Sequence, residues 1–146
     1  MAAIRSAEVI WEGNLAAGSG RLDAVSSKAF QALPVTWASR TEASEGRTSP
    51  EELLAAAHAS CYAMGFSSEL TKAGMPPDRL EVSAEVTFDR VDGKWTVLSS
   101  RLAVHGRVPG IDADRFRALA IQAKDGCPIS RALVGNVALS VDATLD

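Results

Sequence analysis

Cysteine is nearly missing from this chain: 146 residues hold two, Cys61 and Cys127. That excludes a disulfide-stapled scaffold, and a chain of this length buries enough apolar surface to fold without one. Histidine is equally scarce, with only His58 and His105. These four side chains lack the close ligand spacings of a structural zinc site. There is no block of basic residues and the net charge is −3, which argues against nucleic acid as a partner. No apolar run reaches the ~20 residues of a bilayer crossing. The longest, Leu53 to Phe66, is interrupted by His58 and Ser60. The opening MAAIRSAEVIWEGN has no basic region followed by a long apolar stretch, so no signal peptide is expected. Gly18-Ser19-Gly20 reads as a hairpin, without the following helix that a phosphate loop requires. Internal repeats and low-complexity tracts are also missing. The expectation is one domain in the cytoplasm, with neither membrane nor nucleic acid among its partners. Its thiols should rest reduced, and any disulfide should be transient.

What is present reads as an α+β chain with antiparallel pairing. Ala7 to Gly13 alternates like a strand, Arg21 to Ser27 follows as a second, and Val35 to Arg40 as a third. Thr41 to Thr48 is a polar loop. Ser49-Pro50-Glu51-Glu52 is a helix start: Ser49 suits the cap, Pro50 the first turn, and Glu52 can close a capping box. The helix should run to about Ala73, where Gly74 and Pro76-Pro77 stop it. Leu53, Leu54, Ala56, Ala57, Ala59, Cys61, Ala63 and Met64 leave it hardly any polar face. A helix apolar all round is buried all round, and one layer of sheet cannot cover it, so a second subunit is expected over the remainder. Leu80 to Val91 and Trp95 to Arg107 form a hairpin about Asp92-Gly93. A helix follows from Asp112 to Gly126, a short one from Pro128 to Val134, and a final strand from Asn136 to Leu145. The chain thus divides into a strand lobe (1–48), a central helix (50–73) and a β-β-α-β lobe (79–146).

The two thiols occupy suggestive places. Cys61 lies within the apolar helix, where a lone cysteine commonly serves as a small buried hydrophobe. Cys127 stands before Pro128 at the start of the short helix. Unpaired N–H groups there favour a thiolate, though a plain turn residue fits as well. Taken together, the pair suggests one thiol that attacks an oxidant and another that closes the disulfide. A free thiol ionises near pH ~8.5, and burial raises that value. A guanidinium would lower it again, and a carboxylate would hold the guanidinium. Arg40 and Glu51 are candidates, against bland readings as a surface arginine and a helix-dipole carboxylate. Glu51 and Cys61 are ten residues apart on one helix, ~15 Å at 1.5 Å per residue. If both serve one site, they come from different copies of the chain. His58 reads as a packing residue with one hydrogen bond. A Cys61–His58 nucleophilic pair, giving a hydrolase or acyl transferase, is an alternative. A non-enzymatic stress-associated binding protein is another.

Three stretches, taken in order, resemble the OsmC/Ohr family of osmotically inducible and organic hydroperoxide resistance proteins: Trp11-Glu12-Gly13; Ser49-Pro50-Glu51-Glu52 through His58-Ala59-Ser60-Cys61; and Val108-Pro109-Gly110-Ile111-Asp112 onward to Gly126-Cys127-Pro128-Ile129-Ser130. The last stretch looks more like the OsmC branch. The resemblance implies a single domain over residues 1–146, with antiparallel sheets wrapped around a long buried central helix in an intertwined homodimer. It implies a thiol-dependent peroxidase for organic hydroperoxides, acting in oxidative or osmotic stress. Cys61 matches the peroxidatic cysteine, Cys127 the resolving one, Arg40 the activating arginine and Glu51 its carboxylate partner. In the Ohr branch the arginine comes from the first hairpin, where Arg21 lies. No metal or organic cofactor is implied; the reductant would be an external dithiol such as a dihydrolipoyl group. Apolar residues such as Leu54, Met64 and Phe66 would favour alkyl peroxides.

Overall fold

The computed structural model describes residues 1–146. The chain forms two compact units, Met1–Leu53 and Leu54–Asp146.

In the first unit β1 (Ala7–Glu12), β2 (Ser19–Val25) and β3 (Gln31–Val35) make an antiparallel sheet in that order. Trp11 pairs with Gly20, and Arg21 with Pro34. β3 stops earlier than the strand expected over Val35 to Arg40. Thr36 interrupts it as the cap of a short helix, α1 (Trp37–Thr41). The Thr36 hydroxyl takes the Ser39 N–H at 3.0 Å, and Ser39 Oγ takes the Thr36 N–H at 3.0 Å. This reciprocal box satisfies two otherwise unpaired donors and turns the chain helical. Arg40 therefore sits in the last turn of α1. Ser39 Oγ also donates to the Thr48 carbonyl at 3.1 Å, tying α1 to the chain just before the next helix.

That helix is α2 (Pro50–Lys72). Ser49 Oγ accepts the Glu52 N–H at 3.1 Å, but the Glu52 carboxylate turns to the Thr48 hydroxyl instead of closing the box. At the other end Gly74 (φ 79°) donates to Thr71 and Met75 to Leu70. Those two bonds form a left-handed C-cap that only glycine enters without strain. Within one chain α2 buries a stripe at every fourth residue: His58, Tyr62, Phe66 and Leu70. Ala56, Ala57, Ser60 and Met64 stay exposed, Met64 by 69%. Burial on every side is thus not achieved by the single chain.

The second unit continues with β4 (Arg79–Val91) and β5 (Lys94–Arg107), paired antiparallel across Asp92-Gly93. Both turn residues have positive φ (50° and 78°), as a two-residue hairpin demands. α3 (Ala113–Gly126) is capped by Asp112, whose carboxylate takes the Arg115 N–H at 2.8 Å. α4 (Pro128–Leu133) and β6 (Ala138–Leu145) follow. The pairing of β6 departs from the antiparallel expectation: it lies parallel to β5, with Leu102 opposite Val141. Parallel neighbours need a long crossover, and α3 with α4 supplies it. Phe116, Leu119, Ala120 and Ala123 on α3 meet Tyr62, Phe66 and Leu70 with Leu102, Val104 and Cys127 in one core. The Phe66 and Phe116 rings are 5.1 Å apart between centroids. Gly106 lets β5 pass close beneath Phe116, since a Cβ there would meet that ring at 2.5 Å.

Candidate functional site

Two clusters of the anticipated residues form, one in each unit. In the first, the Arg40 guanidinium donates to Glu51 through Nε at 3.0 and 3.1 Å and a terminal nitrogen at 2.7 Å. Arg40 Cζ lies 5.7 Å from the centre of the Trp37 ring. Glu51 is nearly buried and sits in the first turn of α2, where the helix dipole favours an anion. A fixed guanidinium held by a forked carboxylate is a preorganised anion-binding group. Arg21, the other candidate, instead pairs with Asp23 at 2.8 Å on the exposed strand β2.

The second cluster brings the thiols together. Cys61 projects from the middle of α2 and is half-buried, whereas Cys127 is buried at the α3–α4 junction. Cys127 caps the end of α3 and opens α4 in an extended conformation (φ −62°, ψ 124°), and its side chain makes no capping bond. Pro128 tolerates this position because the first helical N–H has no partner anyway. The Cys61 and Cys127 thiols are neighbours, close enough for one to influence the ionisation of the other. Burial pushes the Cys61 thiol above its ordinary range. The nearby Ile129 backbone N–H pulls the other way, and the neighbouring Cys127 thiol adds to the upward push. None of these influences is a cation. Cys61 packs against the aromatic core that holds Phe66, while Leu54 is only partly buried.

His58 differs from expectation. It makes two hydrogen bonds, not one, and neither involves Cys61: Nδ1 meets Ser100 Oγ at 2.6 Å and Nε2 meets Ser130 Oγ at 2.8 Å. All three side chains are buried. A ring with both nitrogens engaged this way has no lone pair free to take a proton from Cys61, which removes the geometry of a Cys–His hydrolase. Desolvation lowers the His58 pKa, keeping the ring neutral. One serine therefore donates to it and the other accepts. His105 is elsewhere, bonded to Asp146, and no three His, Cys, Asp or Glu side chains cluster as metal ligands would. Sequence reasoning missed Ser100, Trp37 and the Ile129 N–H. Only Trp37 left a local trace, as the first residue after the Thr36 cap.

Comparison with known proteins identifies the fold and the family. The fold is that of solved organic hydroperoxide resistance proteins: it superposes on OhrB of Bacillus subtilis with a TM-score of 0.74, 22% identity, and 95% and 98% of the two chains covered. An OsmC protein from Legionella pneumophila gives 0.70 at 20% identity, covering 98% and 99%. The sequence profile of the OsmC-like protein family matches residues 43–142. Peroxiredoxin OsmC of Escherichia coli is 37% identical over 129 residues, 88% of this chain and 89% of that protein. The chain belongs to the OsmC-like family. The organic hydroperoxide resistance protein of Xanthomonas axonopodis is 32% identical over 97 residues, 62% of each chain. The matched span includes Glu51, Cys61 and Cys127 and begins just after Arg40. No helix is long and apolar enough to cross a membrane.

Proposed function

We propose that this chain is a cytoplasmic, cysteine-based peroxidase that reduces organic hydroperoxides, and hydrogen peroxide more weakly, in stress defence. Its family includes a peroxiredoxin and organic hydroperoxide resistance proteins, which supports the peroxidase class. One observation carries the reading: the chain's only two thiols are neighbours at the edge of one core, Cys61 half-buried and Cys127 buried.

The Cys61 thiolate attacks the distal peroxide oxygen, the O–O bond breaks, and the alkoxide takes a proton and leaves as alcohol. Cys61 is then a sulfenic acid. Cys127 attacks that sulfur, an S–S bond forms, the S–O bond breaks, and hydroxide leaves as water. An external dithiol, such as a dihydrolipoyl group, reduces the disulfide by exchange and is itself oxidised. No metal or organic cofactor takes part.

The thiolate needs a cation. Arg40, held by Glu51, is the group suited to supply it, but Glu51 and Cys61 lie ten residues apart on unbroken α2, ~15 Å along its axis. The proposed active form is therefore a homodimer in which the Arg40–Glu51 pair of one copy serves the thiols of the other. The uncovered face of α2, with Ala56, Ala57, Ser60 and Met64, is the surface the second copy covers.

The test is one equivalent of cumene hydroperoxide added to reduced protein. Loss of both thiols, with a Cys61–Cys127 bridge found by mass spectrometry, is the expected result. Retention of both thiols overturns the reading.

A further inference from the structure

The buried His58 has no part in the scheme above, yet it lies one turn before Cys61 and binds the residue three after Cys127. Three elements converge on its ring: α2 carries it, β5 offers Ser100, and α4 offers Ser130. Exposure of the three residues is 0%, 0% and 2%. Such bonds are shielded from water, and leaving one member unpaired costs more than the bond itself is worth.

α4 has only six residues, too short to hold its place by its own propensity. Its first turn nevertheless carries Ser130, directly follows Cys127, and brings the Ile129 N–H near the Cys61 sulfur. Closing a disulfide requires the sulfurs to approach to ~2.05 Å, within narrow limits on backbone separation. A small drift of α4 would defeat that step.

We propose that His58 is a positioning residue: through Ser130 it clasps the first turn of α4 to α2, holding Cys127 where it can close on Cys61. Peroxide attack on Cys61 does not use the clasp; disulfide closure does. Ser100, on β5, engages the ring's other nitrogen. The kinetic part of this inference rests on the peroxidase reading. The equilibrium part does not.

The test compares Ser130→Ala with Ser100→Ala. Each removes one buried hydroxyl from the same ring, but only the first cuts the link to α4. In rapid-quench experiments with cumene hydroperoxide, sulfenic acid at Cys61 is trapped with dimedone and the disulfide is followed separately. Ser130→Ala should slow closure about tenfold or more, since ångström-scale misplacement costs up to about a hundredfold. It should leave Cys61 oxidation nearly unchanged, with Ser100→Ala affecting closure far less. In a glutathione redox buffer without peroxide, the Cys61–Cys127 disulfide of Ser130→Ala should be about tenfold less stable, ~30 mV for a two-electron couple. Parental closure and disulfide stability in Ser130→Ala overturn the proposal. So does equal slowing of oxidation and closure, or equal slowing in the two serine variants. If the parent itself keeps its thiols under peroxide, the peroxidase reading fails, and the glutathione equilibrium still decides the clasp.

Discussion

Arg40 and Glu51 form a forked ion pair, with Arg40 Nε within 3.1 Å of both carboxylate oxygens and a terminal nitrogen 2.7 Å from one of them. Lysine keeps the charge but cannot make the fork. Arg40→Lys should therefore reduce peroxide turnover about ten- to a hundredfold, in line with ~1.5–3 kcal/mol for a hydrogen bond to a charged group. Steady-state assays with an artificial dithiol would read it, and parental turnover would count against the pair's role.

A site shared between copies is open to complementation. Glu51→Gln and Cys61→Ser should each be inactive alone. After mixing and subunit exchange, half the dimers carry one of each, and one of their two sites is intact. Recovery of about a quarter of parental activity is expected for a two-fold assembly. No recovery would place all four residues in the same copy.

The pH profile of Cys61 should depend on assembly. Within its own chain the thiol is pushed up, first by burial. A charge at Met64, on the open face of α2, should give monomers. In Met64→Glu, alkylation of Cys61 should then rise only above the ordinary thiol range, because the thiolate is disfavoured. In the assembled protein the partner's guanidinium should move the rise to lower pH, and Arg40→Met should move it back. Coincident profiles in all three would contradict this.

His58 gives a separate acid signature. Its folded-state pKa is lowered by desolvation from 6.5. The unfolded chain therefore binds a proton first as the pH drops. Stability from this group is complete above 6.5 and is lost as pH falls through the depressed value. Urea unfolding across that range should show the slope in the parent, and His58→Gln should flatten it.

Gly106→Ala tests the packing beneath Phe116. The added carbon would sit 2.5 Å from the ring, and overpacking of this kind costs about 1–3 kcal/mol. Phe116→Leu in the same chain should recover part of that loss in urea melts.

The second unit was legible because its signals are local. The alternation of β4, the positive-φ turn at Asp92-Gly93, the Asp112 cap and the Gly74 stop all act within a few residues of where they are written. The direction of β6 was not, since alternation looks the same in either orientation and the crossover decides it. The sequence pattern carries the strand on to Arg40, because Val35 extends the alternation of β3. The Thr36–Ser39 box competes for the same residues and wins. His58 shows the limit most clearly: its partners lie 42 and 72 positions away, and no spacing rule reaches that far. Cys61 and Cys127 stand out in the sequence because the chain holds no other cysteine.

Cys127 is 1% exposed while Cys61 is partly open. A maleimide dye supplied at equimolar dose will therefore couple to position 61 and leave position 127 untouched. The native sequence thus accepts a single fluorophore without mutagenesis, at the sulfur proposed to meet the peroxide. The shielded sulfur stays behind as an internal standard, countable once the protein is unfolded.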